Sequence, residues 1–311
     1  MVTNTFVGTP AVVDWDLDFF ADTGYFGLVG DSTATSGTVF RFAFNNDANP
    51  LNWDSPNIFF DTALPVVGQP TPGLDDKDQK WVYFGTGRYF ASSDKTSVPQ
   101  QTLFGVKEMD DGVTLYESNL INTSSIDVYS DGNLVNTYHN ALLSDDAKGV
   151  TTFKELENEI NTNSSILGWK LDFPMLSGVL GTDGSTRNTT RSALLGGVLF
   201  TSVFQPSNDP CEGEGLSRLY GLYYKTGTAY PSPTVFGSTI TTKSDGTVGY
   251  ISNTFIDLGQ GVASAPSLHS GTGLGSGGVR VFTQLSTGDI VQATADAVLN
   301  VRTGKTSWTD R

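Results

Sequence analysis

The sequence predicts an all-β protein built from several sheets. Two observations carry this reading. Short β-like runs recur from one end of the chain to the other, each alternating or nearly alternating in polarity and each followed within four residues by Gly, Asp or Asn. The composition agrees: 35 glycines supply turns, phenylalanine, tyrosine and tryptophan make up 11% of residues, and only 16% are charged.

In chain order the runs are "GYFGLV" (24–29), "TVFRFAF" (38–44), "KWVYFGTGRYF" (80–90), "TLFGVKE" (102–108), "GVLFTSVF" (197–204), "RLYGLYY" (218–224), "GVRVFTQL" (278–285) and "DIVQATA" (289–295). One helix is expected, starting near Thr152, where Thr152 and Glu155 form a capping box and "FKELENEI" follows. It falls in a long polar insertion, 118–168, expected to decorate a propeller-like or sandwich core rather than to form a second domain. No strict repeat of about 40–50 residues is visible, so periodicity alone does not separate those two cores.

The formal charge of −15 excludes nucleic acid as a partner, because phosphate binding needs a basic patch and the few Lys and Arg are scattered. It attracts cations instead. No apolar run approaches the about 20 residues of a membrane span. No signal-peptide pattern precedes "VTNTFVGTP", so an exported form of this protein is expected to be a processed one.

Other chemistry finds little support. A single cysteine, Cys211, cannot close an internal disulfide and has no histidine near it in sequence. His139 and His269 are isolated, which argues against zinc. "GTGLGSGG" (271–278) has nucleotide-loop glycine spacing but is followed by a β-like run where a phosphate site needs a helix. The sequons at Asn122, Asn163 and Asn188 are read as chance in so Asn/Thr-rich a chain. Asp75, Asp76 and Asp78 are read as a solvated turn before "KWVYFG".

Three blocks, in matching order, resemble the C-terminal domain of the PilY/PilC family of type IV pilus biogenesis proteins. They are "WVYFGTGRYFASSDKTSVPQQTLFGVKE" (81–108), then "GWKLDFP" (168–174) with "SALLGGVLFTSVFQPSNDPCEGEGLSRLYGLYYKTGT" (192–228), and finally "GQGVASAPSLHSG" with "VRVFTQLSTGDIV" and "GKTSW" (259–308). The resemblance runs from about Pro10 to Trp308. It implies a modified β-propeller of about seven blades, a single domain over 1–311 without the family's N-terminal region. It also implies export to the cell surface or pilus tip, pilin subunits or minor pilins and a host or abiotic surface as partners, and a non-enzymatic role in pilus extension, retraction and adhesion.

Within that frame, "VDWDLDFFADTGYF" (13–26) resembles a calcium loop. Calcium takes about six to eight oxygens at about 2.3–2.6 Å, and EF-type loops supply them from positions 1, 3, 5, 7 and 9. Those positions fall on Asp14, Asp16, Asp18, the carbonyl of Phe20, and Asp22. The sequence departs from the pattern at position 6, normally glycine, which is Phe19, and it places Trp15 and Leu17 in other gaps. The alternative is an amphipathic strand with Asp14, Asp16 and Asp18 toward solvent and Trp15, Leu17 and Phe19 toward the core.

Two further function classes stay open. "LYGLYYKTG" (219–227) and "RTGKTSW" (302–308) resemble blade-ending patterns of quinone-dependent propeller dehydrogenases, though a single cysteine cannot supply the cysteine pair usual there. A carbohydrate-binding adhesin could use Tyr220, Tyr223 and Tyr224 around a cleft.

Overall fold

The computed structural model describes residues 5–30, 37–109, 112–176, 184–208, 214–270 and 278–299. Each of the eight β-like runs becomes a strand or most of one, and the strands pair into four sheets of three or more strands and two separate hairpins. The first sheet orders Phe6–Val7, Thr23–Val29, Thr38–Ala43 and Asn57–Asp61, with Ala11–Val13 added beside Thr23–Val29. The second orders Thr71–Leu74, Lys80–Gly85, Thr102–Lys107, Gly168–Asp172 and Ile121–Asn122. Ala193–Leu195, Val198–Pro206, Gly215–Tyr223 and Phe255–Gln260 make the third, and Ser267–His269, Gly278–Gln284 and Ile290–Asp296 the fourth.

Successive sheets share cores, and the period of two along each strand explains how. Alternate residues of a strand point to opposite faces, so Val82, Phe84, Phe104 and Val106 pack on Tyr25, Val39, Phe59 and Phe60 of the first sheet. Their neighbours Trp81, Tyr83, Leu103, Trp169 and Leu171 pack the other way, on Leu199, Val203, Tyr220 and Leu222 of the third. Val198, Phe200 and Leu219 then meet Val279, Val281, Ala293 and Ala295 of the fourth. Sheet stacked against sheet in chain order is the blade arrangement of a modified β-propeller, the fold expected. The strand pairings do not themselves give the count of about seven blades.

Trp169 braces the second sheet to the third. Its indole Nε1 donates to the carbonyl of Tyr224 at 2.8 Å, and its ring lies where a Cβ on Gly105 or Gly227 would sit, 2.4 and 2.2 Å from ring atoms. Gly227 is also left-handed, φ +66. The "LYGLYYKTG" block therefore acts here as packing between blades.

The helix, Phe153–Thr162, starts as expected: Thr152 caps it, accepting from the Glu155 amide at 3.2 Å while Glu155 accepts from the Thr152 amide at 3.1 Å. The 118–168 segment is more than a decoration. Ile121, Val128, Phe153, Leu156, Ile160 and Ile166 are buried in the core between the second and third sheets. Its polar composition hides this because Phe153, Leu156 and Ile160 share one helix face while the other apolar positions are dispersed through turns and a two-residue strand.

Candidate metal centre

The Asp14–Asp22 segment connects two paired strands of the first sheet. Val13 pairs with Thr23, and the Asp22 amide donates to the Val13 carbonyl at 2.9 Å, which closes the neck. Between these points there is no strand. The alternation required by the amphipathic-strand reading is broken by two left-handed residues, Leu17 at φ 61 and Phe19 at φ 74. Trp15 is 8% exposed and joins the core of the first two sheets, whereas Leu17 and Phe19, which that reading sends inward, are exposed, Phe19 at 95%.

The loop curls its amides onto its own carboxylates. Asp14 accepts from the Asp18 amide at 3.2 Å and the Phe19 amide at 2.8 Å. Asp16 accepts from the Asp18 amide at 3.2 Å, and Asp18 from the Phe20 amide at 2.8 Å. One oxygen each from Asp14, Asp16 and Asp18 lies within 4.8 Å of the others. Asp22 is used differently: it accepts from the Trp15 amide at 2.5 Å and pins the neck. Phe20 lies in the same wrap, its ring exposed.

Three of the five residues expected at the site are thus brought together, and the left-handed turn falls on Phe19, the position where a calcium loop uses glycine. A non-glycine residue there costs about 1–2 kcal/mol. Partial desolvation together with the neighbouring Asp18, Asp22 and Asp14 charges raises the pKa of Asp16, partly offset by the Asp18 amide. Among the described residues no lysine or arginine ion-pairs with any of the four aspartates.

The second acidic run is not simply a solvated turn. Asp75 is buried, its side chain 3% exposed, and accepts from the Lys77 and Gln79 amides at 2.8 and 2.9 Å. Lys225, 2% exposed, reaches it from the end of the third sheet at 3.8 Å and forms an ion pair with Asp76. That hydrogen bond is the main reason the Asp76 pKa is lowered. Sequence reasoning missed Lys225; its signal was a lone cation inside the apolar run "LYGLYYK".

The remaining candidates resolve on burial. Tyr220, Tyr223 and Tyr224 are all buried, so they pack blades and do not line an open cleft. Asn188 is buried and donates to the Ser202 carbonyl at 2.8 Å, which leaves no room for a glycan. His139 and His269 are exposed, and among the described residues neither joins a group able to hold a metal. Cys211, most of "GTGLGSGG" and "RTGKTSW" lie outside the described residues. No described helix is long and apolar enough to cross a membrane.

No family model matches this sequence, and neither does any curated protein. The crystal structure of the Pseudomonas aeruginosa PilY1 C-terminal domain does match: it superposes over 94% of this chain with a TM-score of 0.55 and 18% identity. The fold is that of the PilY1 C-terminal domain. The resemblance carried by the three sequence blocks holds at the level of architecture, across nearly the whole chain. This chain spans 61% of the length of that PilY1 structure. A second solved structure, an RGII complex of BT0996, aligns at 11% identity with a TM-score of 0.23, too low to indicate a common fold.

Proposed function

We propose that this chain is a non-enzymatic, calcium-binding propeller domain of a type IV pilus biogenesis protein, exported to the cell surface and acting in pilus extension, retraction and adhesion. The observation that carries the proposal is the PilY1 C-terminal architecture shared over 94% of the chain. The calcium part rests on the convergence of Asp14, Asp16 and Asp18 in a loop curled by left-handed residues at Leu17 and Phe19. Asp22 and the carbonyl of Phe20 complete the proposed ligand set.

In this reading calcium neutralises carboxylates that otherwise repel and steadies the curled loop between Ala11–Val13 and Thr23–Val29. The bound form favours a conformation that opposes retraction, by as much as its affinities for the two conformations differ. Pilin subunits or minor pilins are the partners, with a host or abiotic surface beyond them. Calorimetric titration of calcium into chelator-stripped protein, beside an Asp16→Ala variant, tests the site. One-site binding that the variant loses supports it, and the same variant in a pilus-retraction assay tests the switch. Absence of binding heat together with absence of thermal stabilisation by millimolar calcium overturns the metal reading and leaves adhesion or scaffolding.

A further inference from the structure

A cavity of about 390 Å³ opens where the helix N-terminus, the Ser130–Asn133 turn and the Tyr230–Ser232 segment meet. None of the site residues expected from sequence borders it. Its size falls within the usual range for small-molecule sites, about 300–1,000 Å³. Its wall combines an aromatic side and a polar side. Tyr230 forms the aromatic side and is held by its neighbours: Phe153 meets its ring edge-on at 5.2 Å, and Tyr223 lies 5.0 Å away. Tyr230 itself is only partly buried.

The polar side carries both acceptors and donors. Glu157 borders the cavity and is fixed from behind by the Tyr223 hydroxyl, which donates to it at 2.7 Å. Asp131 is kept ionised by Lys243, whose hydrogen bond is the first cause of its lowered pKa. Lys154 adds a donor from an exposed residue, and the exposed Asn133, whose side-chain amide already donates to Asp131 at 3.1 Å, has a second N–H to offer. The cavity wall therefore includes one fixed aromatic ring together with carboxylate, amide and ammonium groups.

We propose that this cavity binds a saccharide unit. A pyranose has an apolar C–H face that stacks on an aromatic ring and a rim of hydroxyls that both donate and accept hydrogen bonds, which matches these two sides. A simple anion fits poorly, because Asp131 and Glu157 repel it, and a purely apolar ligand would leave the polar groups desolvated without partners. Binding rather than cleavage is inferred, since Asp131 is committed to Lys243 and Glu157 to Tyr223. A larger polar cavity, about 410 Å³ around Lys107 and Glu108, has no aromatic wall and does not share this chemistry. The inference is independent of calcium at the Asp14–Asp22 loop.

The test is saturation-transfer NMR of glucose, galactose, mannose and N-acetylglucosamine on the whole chain, followed by titration of whichever binds. Asn133→Ala and Lys154→Ala change exposed residues and are expected to leave the melting temperature unchanged while weakening binding about tenfold. Tyr230→Ala, checked for folding by its melting curve, is expected to abolish the transfer signal. No signal from any of the four sugars at millimolar concentration overturns the proposal. So does binding that survives unchanged in Asn133→Ala and Lys154→Ala, since the sugar then sits elsewhere.

Discussion

Two acidic runs in this molecule have similar composition and opposite solutions to the same problem. At Asp75–Asp78 the chain supplies its own cation: Lys225 arrives from the neighbouring sheet, buried, and pairs with Asp76 while facing Asp75. At Asp14–Asp22 no lysine or arginine of the described residues does so, and the loop satisfies its carboxylates with its own amides while three of them converge. Close carboxylates without a counter-charge repel. The contrast assigns the first run to holding blades together and leaves the second without an internal counter-charge among the described residues.

The largest effect is expected where the cation is internal. Lys225→Met keeps most of the side-chain volume but takes from the buried Asp75 the one lysine within 4 Å of it among the described residues, leaving Lys107 as a more distant charge. Breaking a buried pair from one side costs about 3–5 kcal/mol, and the turn amides on Asp75 place the expected loss near the lower end, at about 3 kcal/mol in urea unfolding. If the double variant Lys225→Met with Asp76→Asn loses as much as the sum of the single changes, the two groups are not coupled and the comparison fails.

Next in size is the effect of an external cation. Calcium at a hundredfold excess over its dissociation constant stabilises a protein that binds it only when folded by about 2.7 kcal/mol. The wild type is expected to show such a rise on thermal unfolding, and Asp14→Ala to show none. The Lys225→Met variant should gain as much from calcium as the wild type does, because its defect lies in the other run.

Acid should separate the runs by sign, with a smaller effect. The Asp76 pKa is lowered in the fold, so its contribution is present above the unfolded value and lost as pH falls through the folded one. The Asp16 pKa is raised, so the metal-free loop binds protons more readily than the unfolded chain and becomes less stable as pH rises through the carboxylate range. Carboxyl NMR titration of calcium-free protein should place the midpoint of Asp16 above the usual aspartate value and that of Asp76 below it. Calcium should move the Asp16 midpoint down and leave Asp76 in place.

Much of the fold was legible because its strands are marked by period and by bulk. The eight apolar runs are the strands that pack between sheets, and Thr152 with Glu155 announced the helix. Strands made of small polar residues, such as Ser238–Thr242, were not found, since threonine and serine there stay largely exposed and bury little. The candidate metal centre was partly legible. Asp14, Asp16 and Asp18 converge as their spacing suggested, but the role of Asp22 at the neck depends on the position of the Trp15 amide. The partner of Lys225, unlike the lone cation itself, was out of reach for another reason: Asp76 stands 149 residues away, and sequence carries no mark of which blade ends meet.

The smallest expected effect bears on how the Asp14–Asp22 loop reached its form. Phe19 holds φ 74 with its ring almost wholly in solvent, so the side chain contributes little packing to offset the left-handed strain. Replacing it with glycine removes that strain and adds the greater freedom glycine loses on folding, two terms of about 1–2 and 0.5–1 kcal/mol. Phe19→Gly is therefore expected to raise the stability of the calcium-free protein by at most about 1.5 kcal/mol. Because the wrap is already formed before a cation enters, calcium affinity should stay within about twofold of the wild type. Thermal melts with and without calcium, beside calorimetry, read both quantities. An affinity gain with no change in the calcium-free melt would mean that the left-handed turn forms only on binding. The contrast between the two acidic runs would then be one of folding order: the Asp75–Asp78 turn is set when the blades pack, whereas the Asp14–Asp22 loop waits for its ion.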